Sequence, residues 1–194
     1  MSSPSQIHIL VEDKRQEMFI RRFLLRRGFD KRKMVFSPVP EGRGSGKQWV
    51  HANFANQVRV CRQRNSRAST SMFAMMDADE LTVARCLSDL DNELVQSTQK
   101  PLDKIHDPIA RLIPKWSVET WILYLSSIGA SEPSISEDIP YKGSKTEEQW
   151  NELIPQASAT LDAWSKSSAA LPANLIDSLR RGLQEIPRAL PAGR

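Results

Sequence analysis

Residues 72–80 read MFAMMDADE, a short apolar run that ends in two carboxylates at alternate positions. A run of this length suits a buried central strand of an α/β sheet. Asp77 and Asp79 then stand where the strand leaves the sheet, and in an open α/β sheet that end borders the ligand crevice. Two carboxylates this close repel each other unless a cation or hydrogen-bond donors compensate, and Mg2+, which takes oxygen ligands, is the economical compensator. The competing reading is structural. Asp favours helix starts, and residues 82–96 follow with Val83, Leu87, Leu90 and Leu94 at helical spacing.

Upstream, residues 6–11 (QIHILV) form a first buried-strand pattern, and residues 14–27 form a helix with Phe19, Ile20, Phe23 and Leu24 on related turns. Asp13 is placed to cap that helix, Gln16 three positions later completes a capping-box pattern, and Gly28 is placed to end it. Glu12 lies between strand and helix, at the same sheet edge as Asp77 and Asp79. Residues 33–39 (KMVFSPV) read as a second strand, with Pro38 indicating an edge or a strand end. Residues 41–47, EGRGSGK, fail the phosphate-loop pattern because Glu41 and Gln48 occupy its Gly and Ser/Thr positions. What remains is a basic, Gly-rich loop whose N–H groups, with Arg43 and Lys47, suit a phosphate; a plain surface loop is the alternative. Residues 48–65 form a helix with Trp49, Val50, Phe54, Val58 and Cys61 toward the core. Arg59, Arg62 and Arg64 near its end, with Arg67 just beyond, are the first candidates for contact with a nucleic-acid backbone, because guanidinium groups suit phosphate oxygens. Favourable interaction with the helix dipole is the alternative.

VEDKRQE (11–17) and MMDADE (75–80) together resemble the two motifs of the Toprim domains of topoisomerases, primases and several small nucleases, V-E-G-x-x-D-E and D-x-D, each after an apolar strand. The resemblance covers roughly the first two thirds of the chain. It implies that Glu12, Asp77 and Asp79 are an acidic triad binding Mg2+ or Mn2+. Asp13 replaces the family's Gly and Gln16 its Asp, while Glu17 is retained.

Residues 109–113 (IARLI) read as a fourth strand, followed by PKWSVETWILYL, in which Ser117 is placed to cap a helix carrying Val118, Trp121, Ile122 and Leu125. Glu119 falls in its first turn, where the helix dipole favours an acid. The pattern P-x-x-x-E-x-W also resembles a segment of small standalone Toprim-like proteins of bacterial defence systems, the RloB-like group included, which places Glu119 near the acidic site. Lys115 is placed to meet a phosphate or a developing negative charge. Trp116 and Trp121 read as core. His8, His51 and His106 adjoin no motif. Residues 129–145 are rich in Ser, Glu and Pro and read as a linker or loop. Residues 146–164, interrupted at Pro155, and 172–186 read as helices, with a frayed end over 187–194.

The 194 residues, 40% hydrophobic, fit one ordinary domain with a small appendage. No apolar run reaches the length of a membrane span and MSSPSQ lacks the features of a secretory signal, which points to the cytoplasm. The two cysteines exclude a disulfide framework and a Cys-rich zinc site. The net charge of +4 conceals an asymmetry: residues 1–67 carry 15 Lys/Arg against 5 Asp/Glu, and residues 68–194 carry 12 against 18. A polyanion is drawn to the first part.

These readings converge on an α/β, Toprim-like and Rossmann-like domain over residues 1–128, with a mostly parallel sheet and helices on both faces. A polar segment over 129–145 and a small helical C-terminal extension over 146–194 follow. The expected activity is metal-dependent cleavage of phosphodiester bonds in DNA or RNA, as an effector of bacterial antiviral defence. Asp77 and Asp79 hold one ion in this reading, Glu12 holds a metal or acts as general base, and Glu17 or Glu119 completes a second site. The alternative is a non-catalytic Toprim-like subunit that binds nucleic acid or a partner and regulates an associated ATPase.

Overall fold

The computed structural model describes residues 4–38, 46–103, 105–127, 135–166 and 171–191. Arg43, Val39 and most of the Gly-rich loop lie outside the described residues, as do 129–134 of the polar segment and 192–194. The described chain runs β1 (Gln6–Val11), α1 (Lys14–Arg26), a 3-10 turn (Lys31–Lys33), β2 (Met34–Phe36), α2 (Gly46–Asn65), β3 (Thr70–Met75), α3 (Val83–Gln96), β4 (Ile109–Leu112), α4 (Val118–Ser126), α5 (Glu147–Lys166) and α6 (Asp177–Ala189). The four strands form one sheet in the order β2-β1-β3-β4, with every pairing parallel. This α/β arrangement is compatible with a Rossmann-like fold.

Period-two alternation distributes the strand side chains over two cores. Ile7, Ile9, Val11, Phe73, Met75, Ala110 and Leu112 face α1 and the C-terminal helices, while Leu10, Met72, Ala74, Met76 and Ile109 face α2 and α3. A sheet buried on both faces explains why β1 and β3 read as nearly continuous apolar runs. β2 is an edge strand, short and followed by Pro38 as expected.

Helix ends follow local chemistry. Asp13 caps α1 by accepting from the Gln16 N–H at 2.8 Å, and Gly28, at φ +92°, takes the left-handed position just past the helix. The capping-box expectation needs one correction: the Gln16 amide oxygen accepts from Glu12 N–H at 3.0 Å, one residue earlier than the pattern prescribes. Thr82 caps α3. α5 runs through Pro155 without the expected interruption. Asn151, whose carbonyl loses its partner there, and Pro155 are both exposed, so the lost bond falls on the solvent side of the helix. The tail over 187–194 is not frayed throughout, because α6 extends to Ala189, and Ala189 and Leu190 are buried.

α5 packs across α1 and α4, and α6 packs on β4. Both helices contribute to the same buried cluster as β1 and α1: Trp150, Ile154 and Leu161 from α5, Leu179, Leu183 and Ile186 from α6. Gly182 makes the α6 contact close, since a Cβ there would overlap the fully buried Trp121 ring, whose Nε1–H donates to Ser178 Oγ at 2.6 Å. Trp121 is core, as expected.

Candidate functional site

In a parallel sheet all strands end at one edge, and with the order 2-1-3-4 the chain reverses its direction of travel between β1 and β3. That gap is the topological switch point where doubly wound folds bind ligands. Glu12 leaves β1 and Asp77 leaves β3 on either side of it. They touch: the Asp77 backbone N–H donates to Glu12 Oε2 at 3.0 Å.

Asp77 is 0% exposed, and its Oδ1 accepts from Gln16 Nε2 at 2.8 Å and from the backbone N–H of Val118 at 3.0 Å. Val118 is the first residue of α4, so Asp77 caps a helix, but one 41 residues away in sequence. α3, the helix that follows it, is capped by Thr82 instead. Ser117, expected to cap α4, has the extended backbone of a cap but makes no side-chain capping bond. The carboxylate already occupies that role, which leaves the buried Ser117 Oγ without a partner. Asp77 Oδ2 is likewise buried and unpartnered among the described residues.

Burial pushes the Asp77 carboxyl well above the usual carboxylate range, reinforced by Glu12, Asp13 and Glu119 and opposed by Lys142. Burial also raises Glu12, with the Asp77 N–H opposing and Asp79 adding to the rise. Gly46, at the start of α2, abuts Glu12 so closely that a Cβ would overlap Glu12 Cγ and its carbonyl oxygen. Here close approach, not an unusual φ, requires glycine. The amide end of α2 is therefore aimed at the acidic edge.

Asp79 sits at φ +52° and Trp116 at φ +63°, and the two pair in an isolated antiparallel bridge, with Asp79 N–H donating to Trp116 O at 3.3 Å. Asp tolerates the left-handed region through its short polar side chain; for Trp it is strained, and such strain concentrates at functional sites. Lys47 Nζ holds this turn from α2, donating to Asp79 Oδ2 at 3.1 Å and Ala78 O at 3.0 Å. Lys115 Nζ donates to the Asp79 and Leu81 carbonyls, 2.8 Å each, and lies 4.2 Å from the centre of the Trp116 ring. These bonds hold the turn that carries Asp79.

Glu119, expected near the site, is 1% exposed on the first turn of α4 and pairs with Arg15, which also pairs with Glu147 of α5 and lies over Trp150. Its Oε2 is buried without a partner among the described residues. Glu17 is elsewhere. It pairs with Lys14 and Arg21 on α1, and these cations bring its carboxyl below the usual range despite burial, while Gln16 takes the inward position beside Asp77.

Of the expected phosphate-contact residues, only Lys47 reaches this edge among those described. α2 runs antiparallel to the strands, so its last turn falls at the opposite end of the sheet. There Arg64 donates to Gln6 Oε1 at 2.8 Å and His8 Nε2 at 3.1 Å, and Arg62 is taken up by Asp107 and by the Lys100 and Pro101 carbonyls. Arg59 bonds Asn56, and Arg67 is exposed.

Lys142 was not found by sequence reasoning. It lies in the polar segment, where no motif marks it, and its ammonium is held above its usual range by Asp77, Glu12, Asp79 and Glu119 against the opposing effect of burial. Glu137 anchors this segment: its carbonyl accepts from Trp116 Nε1–H at 2.9 Å, and its carboxylate accepts from the N–H groups of Asp177 and Ser178 at the start of α6. Glu12, Asp77, Asp79 and Glu119 supply only oxygen donors, as Mg2+ or Mn2+ requires, and the unpartnered Asp77 Oδ2 and Glu119 Oε2 fit an added cation. Among the described residues no group of three or more His, Cys, Asp or Glu is already arranged to hold a metal ion. Comparison of the chain with family models, curated proteins and solved structures finds no match.

Proposed function

We propose that this chain is a Toprim-like nuclease that uses Mg2+ or Mn2+ to cleave phosphodiester bonds in DNA or RNA, acting in antiviral defence beside an ATPase encoded with it. The observation that carries the reading is the direct bond between Glu12 and the Asp77 backbone across the β1/β3 switch point, with Asp79 two residues on and Glu119 on the helix that Asp77 caps. Buried carboxylates gathered at a ligand crevice are destabilising alone and favourable around a cation. Glu12, Asp77 and Asp79 would hold that ion. When bound, it supplies positive charge at the scissile phosphate and lowers the pKa of the attacking water. The chain's own groups do the rest. The N–H groups of α2 and Lys47 receive phosphate oxygens, Lys142 adds positive charge opposite the carboxylates, and Lys115 with Trp116 fixes the Asp79 turn.

The test is a thermal melt of wild type and Asp79→Asn in EDTA, Mg2+ and Mn2+, beside cleavage of mixed DNA and RNA with and without the neighbouring gene product. Metal at about 100 times its Kd stabilises wild type by about 2.7 kcal/mol, a rise of roughly 5 to 10 °C in Tm at about 2–4 °C per kcal/mol. Asp79→Asn loses both the rise and the cleavage. Neither shift nor cleavage in wild type would leave the second reading, a non-catalytic subunit that binds nucleic acid or regulates the ATPase. That reading is favoured by the internal compensation already present, Lys47 on Asp79 and Gln16 on Asp77.

A further inference from the structure

Residues 14–33 contain nine Lys/Arg against two carboxylates, the densest basic stretch of the chain. The structure sorts these cations into two groups. Lys14 and Arg21 pair with Glu17, Arg15 with Glu119 and Glu147, and Arg27 with Asp162. Arg22, Arg26, Lys31, Arg32 and Lys33 are all exposed and make no ion pair among the described residues.

Their placement is contiguous. Arg22 and Arg26 are four residues apart on α1, hence on one face and about 6 Å apart along the axis. Gly28 turns the chain, with Phe29 N–H bonded to Leu24 O at 3.0 Å, so that the 3-10 turn folds back beside the end of α1. The one carboxylate there, Asp30, is used as the cap of that turn, accepting from Arg32 N–H at 2.7 Å. α1 begins at the acidic edge, where Gln16 touches Asp77, and descends along the sheet, so these cations lie toward the opposite end, Arg22 about 9 Å and Arg26 about 15 Å along the helix axis from Gln16.

We infer that this face of α1 and the following 3-10 turn is the docking surface for the sugar-phosphate backbone of a nucleic-acid duplex. The inference rests on the nuclease reading for the identity of the polyanion, and it places the substrate on a surface other than the α2 arginines. Charge without an apolar stripe is what backbone contact needs. A membrane surface would require exposed apolar side chains interleaved with the cations, whereas Met18 is the only large hydrophobic side chain exposed on α1. Arg62 and Arg64, by contrast, are already engaged within the chain.

The experiment measures binding of a mixed-sequence DNA duplex and its RNA counterpart in EDTA by fluorescence anisotropy, from 50 to 200 mM NaCl. Each phosphate contact contributes about 0.9 to the slope of log K against log salt. The variant Arg22→Ala/Arg26→Ala/Lys31→Ala/Lys33→Ala is therefore expected to flatten the slope by about 3 to 4. Arg59→Ala/Arg64→Ala/Arg67→Ala is expected to leave it unchanged, and the charge-retaining Arg22→Lys/Arg26→Lys keeps it. The inference is overturned if the fourfold variant keeps the wild-type slope while its melt matches wild type. It is equally overturned if the α2 variant takes the loss, or if wild type binds phosphatidylserine vesicles and neither duplex. Cleavage in Mg2+ is scored separately. Wild type that binds through this face but cuts nothing refutes the nuclease reading and leaves the surface standing; cleavage with an unchanged slope does the reverse.

Discussion

Asp77 joins three elements, and replacing it separates its structural role from its charge. Val118 N–H and Gln16 Nε2 both donate to its Oδ1 in a place with no exposure to solvent. Asp77→Ala leaves two buried donors without an acceptor, at about 1–3 kcal/mol each, or about 2–6 kcal/mol together. Asp77→Asn keeps an oxygen acceptor and removes a charge that burial, Glu12, Asp13 and Glu119 all oppose. The difference between the two variants therefore isolates the hydrogen bonds, and at about 2–4 °C per kcal/mol it is on the order of 10 °C in Tm. The assay is thermal and urea unfolding in EDTA at several pH values. Because the Asp77 carboxyl is raised in the folded chain, folding tightens its proton. Wild type is then most stable relative to Asp77→Asn below the unfolded Asp value of about 3.9, and loses that stability as pH climbs toward the raised folded value. The Asn variant has no such loss, so its advantage widens from pH 4 to pH 7. An Ala variant melting within about a degree of the Asn variant, or an advantage that shrinks as pH rises, would refute the reasoning.

Gly46→Ala drives a Cβ into Glu12 Cγ and its carbonyl oxygen, and overpacking of this kind costs about 1–3 kcal/mol; the melt is expected to fall, and any Mg2+-dependent rise in Tm to shrink, while an unchanged metal response would separate α2 from the site. Arg15→Ala strands the buried Glu119 carboxylate, and removing one partner of a buried pair costs about 3–5 kcal/mol; urea unfolding reads this, and Arg15→Ala/Glu119→Gln is expected to recover part of it. Cys61 donates to Thr70 O, and burial pushes its thiol up to about 12, so iodoacetamide at pH 8 is expected to alkylate it only on unfolding. Fast labelling of Cys61 in the native chain would contradict its burial on the inner face of α2 against β3.

What the sequence determined by itself is local and periodic. The apolar runs of β1 and β3, the helical spacing of α1 and α3, the Asp13 cap and the Gly28 stop all depend on residues within a turn or two of one another, and they are read correctly from spacing. The common edge of Glu12, Asp77 and Asp79 was also legible, because strands of a parallel sheet end on one side. What only the tertiary structure decided are the partners brought from afar. Asp77 caps α4 rather than α3, Gln16 turns inward while Glu17 pairs with Lys14 and Arg21, and the charge of Lys142, in a segment with no motif, is coupled to the carboxylates. The arginines at the end of α2 fall at the far end of the sheet because a helix returning from a parallel strand runs against it. Hydrogen bonds and charges act through space over a few ångströms, and the spacing of residues along the chain carries no record of which distant groups the fold will bring within that reach.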